Sequence, residues 1–197
     1  VLDLGGKVLT LSDSSGTLFF PQGMTEDDLL YIAELKNERR ARLSEASKDL
    51  DVEYLEGQRP WHIPCDIALP CATQNELDGE NARTLIKNNC LVVAEGANMP
   101  CTLEAMDIFR DADTLFAPGK AANAGGVTVS GLEMSQNSLR LNWTSGEVDE
   151  RLHSIMQRIH HSCLEYGKID GTTDYVRGAN IAGFVKVADA MLAQGVV

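Results

Sequence analysis

The chain has 197 residues, 44% of them hydrophobic and 23% charged, which is enough apolar material for an ordinary core and too much for a disordered chain. Its formal net charge of -12 argues against nucleic-acid or anionic-membrane partners, since both would be repelled. No apolar run approaches the ~18 to 20 residues that span a bilayer, there is no signal-peptide pattern at the start, and the five cysteines form no CxxC pair, so the sequence reads as a soluble, reduced, cytoplasmic protein.

In chain order, residues 7–13 (KVLTLSD) are rich in leucine and β-branched residues and predict a strand ending in polar groups, followed by a Ser-Ser-Gly turn. Thr25 is an N-cap candidate with Glu26, Asp27 and Asp28 in the first turn, which predicts a charged helix running to about Lys48. Residues 52–55, 65–69, 91–94 and 114–117 are further short apolar runs, with helices predicted near 78–88 and 103–110. Strands alternating with helices of this length predict βαβ units and a doubly wound parallel sheet in an α/β fold. Val148, Leu152, Ile155, Ile159 and Cys163 recur at steps of three and four, as do Ile181, Phe184, Ala188 and Met191, so the C-terminal third is expected to be helical with no strand after the first of these helices. These patterns divide the chain into a dinucleotide-binding part at 1–130 and a helical segment at 131–197.

Three polar joints each follow a predicted strand and open a helix: LPCATQNEL at 69–77, EGANMP at 95–100, and APGKAANAGGVTVSG at 117–131. Three such loops in strand order would lie side by side at the carboxyl edge of a parallel sheet, where ligands bind in α/β proteins. In the third, which reads as a loop of small residues opening a helix, Gly119, Gly125, Gly126 and Gly131 permit positive φ and close backbone approach to a ligand, while Asn123 and Ser130 add hydrogen-bonding groups. The alternative for any one joint is a plain strand-to-helix turn.

Other constellations lead nowhere. The histidines are His62, His153, His160 and His161; His153 and His160 share a helix face, but no third ligand is in reach, and no metal is expected. Gly119-Lys120 is followed by Ala121, so it is not a Walker phosphate loop. In a dinucleotide fold the second strand ends in an acidic residue about 20 positions after a GxGxxG loop; Asp13 fits that residue, yet no such loop occurs in the sequence. The expectation is therefore a Rossmann-like domain whose first strand and phosphate loop are missing.

With SDSSG at 12–16, LPCATQNEL, AEGANMP, FAPGKAANAGGV, SGLEMSQN and the terminal GANIAGFVKVADAMLAQG, the sequence resembles, over essentially all its length, the C-terminal part of the hexameric NADP-dependent glutamate dehydrogenases. That resemblance implies reversible oxidative deamination of L-glutamate to 2-oxoglutarate and ammonium in a homo-hexamer. It implies that Ser130 holds the substrate's side-chain carboxylate with Val127 lining the pocket, and that Thr73, Asn98 and Asn123, with Ala72 and Gly96 in the same loops, contact the nicotinamide half of the cofactor. By the residues alone Ser130 could instead bond back to a helix carbonyl. Asp13 favours NAD by its charge, whereas Ser14, Lys36 and Arg42 match basic and hydroxyl groups that approach a 2′-phosphate, so NADP is expected over NAD. Lys36, Arg39, Arg40 and Arg42 could equally form a solvated helix face. The catalytic lysine and aspartate of the family have no counterpart here, so no residue is nominated as general acid or base. Competing readings are a non-catalytic nucleotide-binding or assembly module, and a dehydrogenase for branched-chain or aromatic amino acids, whose pocket would want an apolar group in place of Ser130.

Overall fold

The structure, a computed structural model, describes residues 1–112 and 114–195; the expected helical segment 131–197 thus ends on two residues outside the described ones. The chain divides into two compact units, Val1–Cys65 and Asp66–Val197.

In the first unit, β1 (Thr10–Asp13), β2 (Gly16–Phe19) and β3 (Glu53–Glu56) form an antiparallel sheet in that order. The expected parallel arrangement does not extend to these strands. Asp13 pairs with Gly16, so only Ser14 and Ser15 connect β1 to β2, and a two-residue connection can join only antiparallel neighbours. Helix α1 (Glu26–Asn37) starts at Thr25 in a capping box with Asp28, the two side chains satisfying each other's backbone N–H groups. It stops well short of Lys48: Arg40 adopts the left-handed region at φ 52° and the Ala41 N–H returns to the Leu35 carbonyl at 3.0 Å, after which residues Leu43–Lys48 form a 3-10 turn. That reversal folds Leu43 and Ala46 onto Leu18, Phe20, Met24, Ile32 and Leu35, the core of this unit.

In the second unit, β4 (Ile67–Ala68), β5 (Val92–Ala94) and β6 (Leu115–Ala117) form the expected parallel sheet in the order β4-β5-β6. The crossovers carry α2 (Gly79–Lys87), capped by Asp78, and α3 (Leu103–Arg110), capped by Thr102. Ala82, Leu85, Ala105 and Phe109 on these helices are buried, as are Val93 and Phe116 on the strands, and the Phe109 and Phe116 rings stack at 5.7 Å. A mixed α/β architecture with a Rossmann-like parallel sheet is therefore what the chain adopts in this unit.

The run expected to be a loop at 117–131 is helical from Gly119 onward, as α4 (Gly119–Ala122) and α5 (Ala124–Leu139), and none of Gly119, Gly125, Gly126 and Gly131 has positive φ. Backbone hydrogen bonding within the docked helices outweighs the entropic penalty of several glycines. Helix α5 is continuous across residues 130 and 131. Helix α6 (Ser145–Gly167) is followed, against expectation, by a small hairpin, β7 (Lys168–Ile169) and β8 (Thr172–Thr173), before α7 (Tyr175–Gln194). Asp170 and Gly171, at φ 47° and 89°, make the tight turn that a two-residue hairpin requires. The crossing of α6 and α7 depends on Gly178, where a Cβ would collide with the backbone of Cys163.

Candidate functional site

The nominated residues gather in two clusters, one in each unit. In the first, β1 delivers Asp13 to the Ser14-Ser15 turn. Asp13 Oδ1 accepts the Ser15 N–H at 2.8 Å, and Oδ2 accepts the Leu43 N–H at 3.0 Å and faces the Lys36 ammonium at 3.4 Å. Burial raises the Asp13 carboxyl, but the Leu43 and Ser15 N–H groups and the Lys36 charge outweigh it and hold the group below the usual carboxylate range. Lys36 also donates to the Ala41 carbonyl at 3.1 Å, and Arg42 Nη1 donates to the Ser14 hydroxyl.

Because α1 ends at Asn37, the basic residues do not form one helix face. Arg39 turns to Glu34, with its Nη2 at 2.9 Å from Oε1, and lies over the Tyr31 ring. Lys36 and Arg42 instead converge on Asp13 and Ser14. The cluster therefore presents a guanidinium, an ammonium and a hydroxyl together, with the Asp13 carboxylate already engaged by that ammonium and by two N–H groups. Such a set fits a phosphate monoester.

The second cluster sits where β4, β5 and β6 end. Backbone bonds join the loop after β4 to the loop after β5: the N–H groups of Gly96 and Ala97 donate to the Pro70 carbonyl at 3.0 and 3.1 Å, Asn75 N–H to Met99 at 3.0 Å, and Leu77 N–H to Pro100 at 3.0 Å. Ala72 and Thr73 are exposed on the first loop, and Ala72 donates its N–H to the Glu76 carboxylate at 2.8 Å. Asn98 is exposed on the second loop. The Asn123 amide, at the junction of α4 and α5, donates to the Ala97 carbonyl at 3.0 Å and to Asn98 Oδ1 at 2.9 Å. Val127 is 73% exposed on the first turn of α5, and the Ser130 hydroxyl, also exposed, bonds back to the Gly126 carbonyl at 3.3 Å. The structure thus brings Gly96, Asn98 and Asn123 together, ties Ala72 to the same sheet edge, and places Val127 and Ser130 on the helix that follows.

Two acidic residues missed from the sequence lie beneath these loops. Glu76 and Glu95 are 8% and 4% exposed, and Glu95 accepts the Gly119 N–H at 2.6 Å and the Cys101 N–H at 3.2 Å. The visible signal was a glutamate directly after the apolar strand Val92–Ala94, a place where a carboxylate must find donors if it is buried. Burial and then the Glu95 carboxylate push the Cys101 thiol far up, and burial and then Glu76 raise that of Cys71, so neither cysteine is an activated nucleophile. Among the described residues no group of three His, Cys, Asp or Glu could hold a metal ion, and no helix is long and apolar enough to cross a membrane. The His160 ring stacks on Tyr175 at 5.8 Å, and His153 Nε2 lies 3.0 Å from the Gln157 amide nitrogen.

A parallel sheet whose carboxyl edge carries polar loops is the kind of place where α/β proteins bind their ligands. The family model of the Glutamate/Leucine/Phenylalanine/Valine dehydrogenases matches residues 1–195, and the chain belongs to this family. It is 60% identical over 193 residues to the NADP-specific glutamate dehydrogenase of Salmonella typhimurium, covering 98% of this chain and 43% of that protein. It is 50% identical over 197 residues to the NAD-specific glutamate dehydrogenase of Bacteroides fragilis, covering 99% of this chain and 44% of that protein. Among solved structures, Plasmodium falciparum glutamate dehydrogenase superposes with a TM-score of 0.94 at 45% identity, over 100% of this chain and 43% of that one. The chain therefore spans less than half the length of the relatives it matches.

Proposed function

We propose that this chain is the cofactor-binding side of an NADP-dependent glutamate dehydrogenase, which interconverts L-glutamate with 2-oxoglutarate and ammonium. The observation that carries the cofactor choice is the convergence of Lys36 and Arg42 on Asp13 and Ser14. A carboxylate at the end of β1 would by itself repel a 2′-phosphate, but here the Lys36 ammonium and two backbone N–H groups hold that carboxylate, which leaves the Arg42 guanidinium and the Ser14 hydroxyl to receive the phosphate beside an ammonium that offsets the Asp13 charge. The name of the Salmonella relative supports the same choice, while that of the Bacteroides fragilis relative keeps NAD as the competing cofactor.

When bound, the nicotinamide supplies a hydride acceptor or donor. In this reading Thr73, Asn98 and Asn123, with Ala72 and Gly96 in the same loops, orient the nicotinamide half of the cofactor. Ser130 rotates its hydroxyl from the Gly126 carbonyl to the side-chain carboxylate of glutamate, and Val127 lines that pocket. Residues 1–130 act as the dinucleotide-binding part and 131–197 as a helical segment that packs on the substrate-binding part of a cytoplasmic homo-hexamer. Proton transfer belongs to residues outside this chain.

The test is a substrate comparison in the intact protein with NADPH as reductant. The reading expects 2-oxoglutarate to be aminated far faster than the 2-oxo acids of leucine, valine or phenylalanine. A preference for an apolar 2-oxo acid would reassign the substrate, and failure to bind either nicotinamide cofactor would favour the non-catalytic module.

A further inference from the structure

Glu95 is a buried carboxylate, and among the described residues its hydrogen-bond partners include no lysine or arginine. It stands directly after β5, and its two oxygens reach two other segments: Oε2 accepts the Gly119 N–H at 2.6 Å and Oε1 the Cys101 N–H at 3.2 Å. Gly119 follows Pro118, which has no side-chain group to cap the helix it precedes, so the orphan N–H at the start of α4 is satisfied from a neighbouring strand. Close by, the Asn123 amide at the end of α4 donates to the Ala97 carbonyl and the Asn98 side chain. The clearance is tight, since a Cβ on Gly119 would lie 2.9 Å from the Ala97 carbonyl oxygen and 3.3 Å from Glu95 Oε2.

We propose that Glu95 is a positioning residue for cofactor binding: its carboxylate fixes the spacing between the loop after β5 and the start of α4, and thereby sets the Asn98–Asn123 pair. This rests on the reading that those two asparagines face the nicotinamide. A carboxylate suits the place because both oxygens accept, whereas an isosteric amide offers one acceptor and turns its NH2 against the other N–H. The same geometry accounts for glycine at 119, because any side chain would wedge the two segments apart.

The experiment compares Glu95→Gln, Glu95→Ala and Gly119→Ala with the parent in the intact protein, reading NADPH dissociation by nicotinamide fluorescence and amide exchange at Gly119 and Cys101. Glu95→Gln is expected to speed exchange at one of these amides and raise the NADPH dissociation constant about tenfold, the loss of one charge-assisted hydrogen bond, with Glu95→Ala worse. Gly119→Ala keeps the carboxylate and is expected to weaken NADPH in the same direction, so it decides the matter should the Glu95 variants not fold. Faster exchange with unchanged NADPH affinity in Glu95→Gln, or unchanged affinity in Gly119→Ala, overturns the positioning role. Asn98→Ala and Asn123→Ala separate the two claims. If they weaken NADPH while Glu95→Gln does not, Glu95 alone is dismissed; if they too leave affinity unchanged, the loops do not hold cofactor and the underlying reading falls with it.

Discussion

Lys36 and Arg42 approach the same carboxylate-and-hydroxyl pair but are not equivalent, and their difference makes a sharp prediction. Arg42 touches Ser14, so Arg42→Ala removes one cation and leaves the Lys36–Asp13 contact in place. Lys36→Ala removes a cation and also releases the Asp13 charge, which the ammonium meets at 3.4 Å. A unit charge about 4 Å from a phosphate charge is worth about 4 kcal/mol at an effective permittivity of ~20. Arg42 is exposed, and solvent screening at such a site reduces this to about 1 kcal/mol, or about fivefold in affinity. Arg42→Ala should therefore weaken NADPH about fivefold and leave NADH within about twofold. Lys36→Ala should weaken NADPH by more than this, because the freed carboxylate now repels the phosphate, and should strengthen NADH, because the same carboxylate becomes available to a 2′-hydroxyl. The assay is equilibrium titration of both cofactors at two salt concentrations, and the NADPH differences should shrink as salt rises. Equal losses for NADPH and NADH in either variant would refute the reasoning, as would identical behaviour of the two variants.

Ser130→Ala in the intact protein should raise the KM for glutamate and 2-oxoglutarate by about one to two powers of ten, the loss of a hydrogen bond to a charged group, and unchanged steady-state kinetics would remove Ser130 from the pocket. Asp174 caps α7 through the Arg177 N–H at 2.9 Å and pairs with Arg110 at 2.8 Å. Burial raises its carboxyl, but these donors hold it below the ordinary 3.8, so its stabilisation is complete above that value and is lost as pH falls through the folded-state pKa. Asp174→Ala should accordingly cost about 1–2 kcal/mol in urea unfolding at pH 7, with a difference from the parent that shrinks below about pH 4. Phe109 is fully buried and stacked on Phe116, so Phe109→Ala should destabilise by about 3–5 kcal/mol in the same measurement.

Much of the second unit was legible from local chemistry. The helices expected near 78–88 and 103–110 fall on α2 and α3, and the apolar runs before them fall on β4 and β5, because helix-forming patterns and short apolar runs each act within a few residues. Pairing partners are not local: nothing in KVLTLSD says whether its neighbour runs parallel, and only the Ser14-Ser15 connection, too short for a crossover, decides it. The glycines at 119, 125, 126 and 131 were misleading for the opposite reason, since their freedom to adopt positive φ goes unused once packing holds them helical. Asp170-Gly171 carried a clear hairpin signal that the strong helical periodicity on either side masked.

In the site, Asp13, Ser14, Lys36 and Arg42 were identifiable as residues. Their mutual neutralisation was not, because it depends on α1 ending at Asn37 and on the chain reversing at Arg40. Glu95 escaped because a glutamate in a loop motif looks solvated until the fold buries it.

The most direct measurement is the initial rate of 2-oxoglutarate- and ammonium-dependent oxidation of NADPH against that of NADH in the intact protein. The account predicts a clear kcat/KM preference for NADPH that Lys36→Ala diminishes. A preference for NADH in the parent, or a preference untouched by the variant, would contradict it.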